Sequence, residues 1–213
     1  MKAKQFRQAY LCLVHLYGVV FDDDAYKILK EYYPDLKIGE FRKDLKERSK
    51  RWTFEYLVIP VAKSTHFVIG YEGIGEKEYN DIFAYGAQHE YHILPYEEFL
   101  LYEKKDFIPN PSLYEKLASF VVEHIPEGKR EHFGEDFFVN WFYWAVRFEG
   151  FDAIERIFLQ ERRFGFHVDG IWDAERFLNL LVEAHNSTRL PHNRGWSPNE
   201  LWEKHRRGKT SQA

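Results

Sequence analysis

Apolar residues recur at intervals of three and four along most of this chain, and that period predicts a largely helical protein. Over residues 4–17, Phe6, Tyr10, Leu13, Val14 and Tyr17 make one stripe, and Gly18 supplies a stop. Asp22 is placed to cap a second helix running to about Tyr33. Asp23 and Asp24 fall in its first turn, where carboxylates suit the helix dipole, and Pro34 closes it. A third helix is expected over 40–50, with Phe41 and Leu45 inward. The period then changes. Residues 54–72, FEYLVIPVAKSTHFVIGYE, hold two β-rich runs around Ala62-Lys63-Ser64-Thr65, which reads as a hairpin whose first strand Pro60 confines to an edge. Three short helices followed by a two-stranded ribbon is the element order of a winged helix.

Gly73-Ile74-Gly75 reads as a joint. Short helices are expected over 78–86 and 96–103, and longer ones over 112–124, 135–147, 151–163, 173–185 and 198–206. The last has an explicit start. Ser197-Pro198-Asn199-Glu200 puts Ser at the N-cap, Pro at N1 and Glu at N3, a capping box. The predicted fold is α+β, mostly α. A winged-helix-like module occupies 1–73, a connecting or covering segment 74–110, an aromatic-rich helical bundle 111–207 and a frayed tail 208–213.

Composition sharpens this picture. Of 213 residues, 45% are hydrophobic, enough to offset ordering entropy along most of the chain. Six Trp, 14 Tyr and 19 Phe concentrate that apolar surface in rings. In 138–148, Phe138, Trp141, Phe142, Tyr143, Trp144 and Phe148 occupy more than one helical face, so that helix is expected to be sandwiched in the bundle. Net charge is −4, which excludes a globally basic nucleic-acid binder. Locally, residues 1–53 carry 12 basic and 8 acidic side chains, net +4, and residues 54–110 carry 4 and 10, net −6. The lone Cys12 lies among Leu11, Leu13 and Val14 and reads as buried; one cysteine makes neither an internal disulfide nor a cysteine zinc cluster. No run approaches a membrane span. The basic-then-apolar N-terminus lacks a small-residue cleavage site, so a cytoplasmic protein is expected.

The segment HNSTRLPHNRGWSPNEL, residues 185–201, resembles a signature at the end of many uncharacterised bacterial proteins, roughly N-x-T-R-x-x-x-N-x-G-x-[ST]-P-N-E-L. LYGVVFDDDAYKILKEYY (16–33) and YHILPYEEFLLY (91–102) resemble further segments of that family. Its members often continue into a SecA-type (SEC-C) zinc motif. This chain has no cysteine there, so the resemblance implies no zinc site, and the family transfers no activity. Within the signature, Asn186, Arg189, Asn193, Arg194 and Trp196 are the candidate residues. They are read as structural: Asn and Arg satisfy loop carbonyls and helix ends, and Trp196 packs ahead of the Ser197 cap.

The third helix is the main candidate for chemistry. At about 100° per residue, Arg42, Lys43, Lys46 and Lys50 share one face while Phe41 and Leu45 share another. Arg51 and the hairpin's Lys63 would add phosphate contacts. Asp22-Asp23-Asp24 is explained by capping, and its spacing is not a calcium loop. His89 and His92 stand three apart but make no H-E-x-x-H motif. There is no phosphate loop, dinucleotide fingerprint or nucleophile elbow. No cofactor or metal is therefore expected. The leading reading is a non-enzymatic binding or adaptor protein with a protein partner. A DNA-binding regulator acting through the third helix is the alternative, and a metal-dependent hydrolase or nuclease the weaker one.

Overall fold

The computed structural model describes residues 1–51, 53–62, 64–72, 75–130, 134–149, 165–168 and 170–210. The fold is α+β and mostly helical. It divides into two compact units, residues 1–107 with 191–195, and residues 108–190 with 196–213. The expected helix over 151–163 lies outside the described residues, as do Lys63 and the Gly73-Ile74 part of the expected joint.

In the first unit, helix α1 (Ala3–Tyr17) is buried without interruption from Ala9 to Tyr17. One apolar stripe was enough to predict the helix, but it is covered on every side there because strands and later helices pack around it. Each such fully buried large apolar side chain contributes about 1.5–3 kcal/mol. Cys12 is buried in the same run, and burial pushes its thiol pKa well up, which makes it unreactive. Gly18 ends the helix at φ 71°, a region that favours glycine, with its N–H on the Val14 carbonyl at 2.9 Å.

The chain then enters strand β1 (Val19–Phe21), followed by α2 (Asp22–Tyr32), α3 (Ile38–Arg48), β2 (Tyr56–Pro60) and β3 (Phe67–Tyr71). The sheet is antiparallel with order β1-β3-β2. The β2–β3 pairing runs from Tyr56↔Tyr71 to Pro60↔Phe67, and β1 adds Val19↔Gly70, Val20↔Ile69 and Phe21↔Val68. β2 is an edge, as Pro60 requires. β1 has three residues, too few for a periodic signal, and its partner lies about fifty positions away. Helix α3 begins at Ile38 and ends at Arg48, so Lys50 lies in the turn beyond it. Asp22 is the first residue of α2 rather than its cap. Phe21 holds the N-cap position and no side chain caps the helix.

Helices α4 (Glu76–Gly86) and α5 (Tyr96–Leu101) belong to this first unit. Phe99 of α5 stacks on Tyr32 with ring centroids 4.4 Å apart.

The second unit is built from α6 (Pro111–Glu123), the single turn α7 (Glu127–Arg130), α8 (Glu135–Glu149), α9 (Ile171–Ser187) and α10 (Pro198–Thr210). Its core is aromatic. Phe120 stacks on Phe177 at 5.4 Å, and Tyr114 meets Tyr143 edge-on at 5.4 Å. On α8, Phe138, Phe142, Tyr143, Ala145 and Val146 are buried, whereas Phe137 is exposed. Arg147 on the same helix is 1% exposed. Its Nη1 donates to the Tyr143 hydroxyl at 2.9 Å, and its guanidinium lies 5.1–5.7 Å from the ring centres of Tyr143, Trp144 and Phe148. Among the described residues, no helix is long and apolar enough to cross a membrane.

Candidate functional site

Helix α3 has two chemically distinct sides. Phe41 and Leu45 are buried, and Phe41 touches the rings of Phe6, Tyr10 and Tyr26. Next to that anchor, Arg48 Nε donates to Asp44 Oδ2 at 2.6 Å, and Tyr10 donates its hydroxyl hydrogen to the same oxygen at 2.9 Å. Arg48 also bonds the Tyr56 hydroxyl and reaches the Ala3 carbonyl at 2.9 Å. Burial pushes the Tyr10 phenol pKa far up, and the neighbouring Asp44 carboxylate adds to it. The inward charges of α3 thus neutralise each other.

Outward, Lys43, Lys46, Lys50 and Arg51 are exposed. Lys50 pairs with Glu47 at 3.1 Å, and that bond holds the Glu47 carboxyl below its ordinary range. Arg42, expected in the same row, is drawn to the start of α2. Its Nη2 lies 3.1 Å from Asp23 Oδ1 and its Nε 3.8 Å from Asp22 Oδ2. Two carboxylates facing it outweigh its place on the helical wheel. Lys63 lies outside the described residues.

The partners of Arg42 form a cluster that sequence reasoning did not assemble. Asp22 is 2% exposed, and its Oδ1 is 3.1 Å from His66 Nδ1. Asp23 Oδ2 lies 3.6 Å from the same nitrogen. The strand β1 creates this meeting: continuing the Phe21↔Val68 register by two residues brings Asp23 opposite His66. Asp24 points elsewhere and pairs with Lys27 at 3.1 Å. Asp22 is therefore not a cap, whereas Asp23 and Asp24 stand in the first turn as expected.

The signature residues divide between the two units. In the second, Glu200 accepts from the Ser197 N–H at 2.8 Å and from Arg189 Nη2 at 2.8 Å, while Ser197 Oγ accepts from the Glu200 N–H at 3.2 Å. The expected capping box is present and Arg189 braces it. Trp196 is half-buried, with the Lys204 ammonium 4.7 Å above its ring. Asn186 Oδ1 stands 3.3 Å from His185 Nδ1, and burial lowers the His185 pKa. In the first unit, Asn193 closes a 3-10 turn (Pro191–Asn193). Arg194 then takes φ 52° and Gly195 φ 82°. The Arg194 guanidinium lies 4.5 Å from the centre of the Tyr91 ring, and its carbonyl accepts the His92 N–H at 2.9 Å. A Cβ on Gly195 would fall 2.6 Å from a Tyr17 ring carbon, so this glycine is required by close approach as well as by φ. Burial pushes the Tyr91 phenol up to about 12. These residues hold their own neighbourhoods together.

His89 and His92 lie on non-helical backbone, so helix geometry does not converge them. Comparison of the chain with family models, curated proteins and solved structures gives no match.

Proposed function

We propose that this chain is a non-enzymatic binding protein whose first unit docks on duplex nucleic acid through the outer side of α3. The observation that carries this reading is the two-sidedness of that helix: Phe41 and Leu45 anchored, Asp44 neutralised by Arg48, and Lys43, Lys46, Lys50 and Arg51 turned to solvent. The element order supports it, since three helices precede the β2–β3 hairpin as in a winged-helix-like module, and β1 adds a third strand beyond that expectation. In such modules the third helix enters the major groove and the hairpin lies along the backbone. Lysines on that helix serve as phosphate contacts, which position the protein without reading sequence. The overall charge of −4 requires the attraction to be local.

Binding of a fluorescent DNA duplex, followed by anisotropy across a salt series, tests the reading. Four phosphate contacts give a log–log slope of about −3.6. The triple variant Lys43→Glu, Lys46→Glu, Lys50→Glu is expected to abolish binding. Unchanged affinity in that variant would remove the proposal.

A protein partner is the second reading, supported by the second unit, where Ile171 and Trp172 at the start of α9 are 77% and 80% exposed. Trp172→Ala is expected to release a stoichiometric partner that co-purifies from native cells; retention of that partner by the variant would count against this surface.

A further inference from the structure

We propose that Asp22, Asp23 and His66 form a binding site for a divalent transition-metal ion of the zinc or manganese class. One ligand atom from each lies within 4.8 Å of the others. Of the His66 Nδ1 distances, 3.1 Å to Asp22 Oδ1 falls within the edge lengths of a coordination polyhedron and 3.6 Å to the half-exposed Asp23 Oδ2 lies just above them. Metal–ligand bonds of about 2.0–2.2 Å put neighbouring ligands roughly 3.0–3.5 Å apart.

A second observation is independent of that spacing. Asp22 is 2% exposed, and its Oδ2 is buried with no hydrogen bond. The positive group facing that oxygen is Arg42 Nε, at 3.8 Å, beyond hydrogen-bonding reach. A buried carboxylate oxygen without a donor is costly, and a divalent cation beside it would remove the deficit. The donor set indicates the metal. Two carboxylates and one imidazole suit borderline ions, whereas magnesium and calcium favour oxygen alone. Three protein ligands leave the remaining positions to water.

The surrounding elements fix the ligands differently. The β1–β3 register holds the start of α2 against the residue that precedes β3. Asp22 is rigid by burial, whereas Asp23 and His66 are about half exposed and can adjust. Arg42, its side chain 41% exposed, is the charge that the ion would displace outward. The guanidinium and the metal therefore compete for the same carboxylates.

The test is a titration of the tag-free, metal-stripped full chain with Co²⁺, read by visible absorption, and with Zn²⁺, read by calorimetry. One equivalent is expected to bind saturably. Asp23→Ala and His66→Ala, both at half-exposed positions, should each weaken it at least tenfold, with far-UV circular dichroism unchanged. Arg42→Ala should tighten it by about tenfold, because removing a cation a few ångströms away relieves direct repulsion. Should either ligand variant fail to fold, the Arg42→Ala result decides: tightening supports the site, and unchanged affinity overturns it. Absence of saturable binding, or binding that persists in both ligand variants, overturns it as well.

Discussion

Each unit sets an arginine among aromatic rings, and the two are balanced differently. In the first, Arg48 is set against Asp44 and between the rings of Tyr10 and Tyr56, so its guanidinium has a carboxylate, a phenol and a backbone carbonyl as partners. In the second, Arg147 is more deeply buried, yet among the described residues its partners are the Tyr143 hydroxyl and three aromatic faces, and its Nε and Nη2 carry no hydrogen bond. His185, also in the second unit, has its pKa lowered by burial, which favours the neutral ring. Arg48 is paired with a carboxylate, whereas Arg147 is shielded by π faces and His185 is held toward its neutral form. A paired charge makes its partner dependent on it. A shielded one leaves no carboxylate behind when it is removed.

The largest effect should follow from Arg48→Met. It leaves Asp44 facing Tyr10 without a cation, and stability should fall by about 2–3 kcal/mol in chemical denaturation, less than a fully buried pair would lose because both groups keep some solvent. In the double variant Asp44→Asn, Arg48→Met, part of that loss should return. If it does not, packing rather than charge holds the pair together.

A smaller effect should appear at His185. Its folded pKa lies below the unfolded value of about 6.5, so its contribution is present above that pH and is lost as pH falls through the folded pKa. His185→Gln should flatten the acid side of the stability–pH curve; an unaltered curve would mean that the imidazole charges freely in the folded state. The smallest effect is expected from Arg147→Met. The volume and the aromatic contacts persist and a buried charge disappears, so stability should stay within about 1 kcal/mol or rise. A loss above about 2 kcal/mol would show a dedicated counter-charge and erase the contrast between Arg48 and Arg147.

Much of the candidate surface could be read from sequence, because helical periodicity is local. Phe41 and Leu45 are inward and Lys43 and Lys46 outward, as the wheel required. Arg42 keeps a half-exposed side chain, but its pairing with Asp22 and Asp23 on another element was invisible to the wheel. Asp22 was assigned to a cap on position alone, but its carboxylate turns into the unit interior toward His66. A search for carboxylate and imidazole residues could not have paired positions forty-four apart without the β1–β3 register. The signature loop shows the same limit. The Ser197–Glu200 box is a four-residue pattern and was found; the attachment of residues 191–195 to the first unit was not, because it depends on Tyr17, Gly86 and Tyr91.

What the chain order alone settled was whatever depends on residues three or four apart: most helices, the hairpin, the capping box, and the split of α3 into an apolar and a basic side. Three-dimensional packing settled the rest: the third strand, the burial of α1 on every side, the capture of Arg42, and the Asp22–Asp23–His66 cluster. The reason is physical. Local periodicity arises from the backbone's own geometry, whereas a buried carboxylate finds its partner only after distant segments have closed on one another.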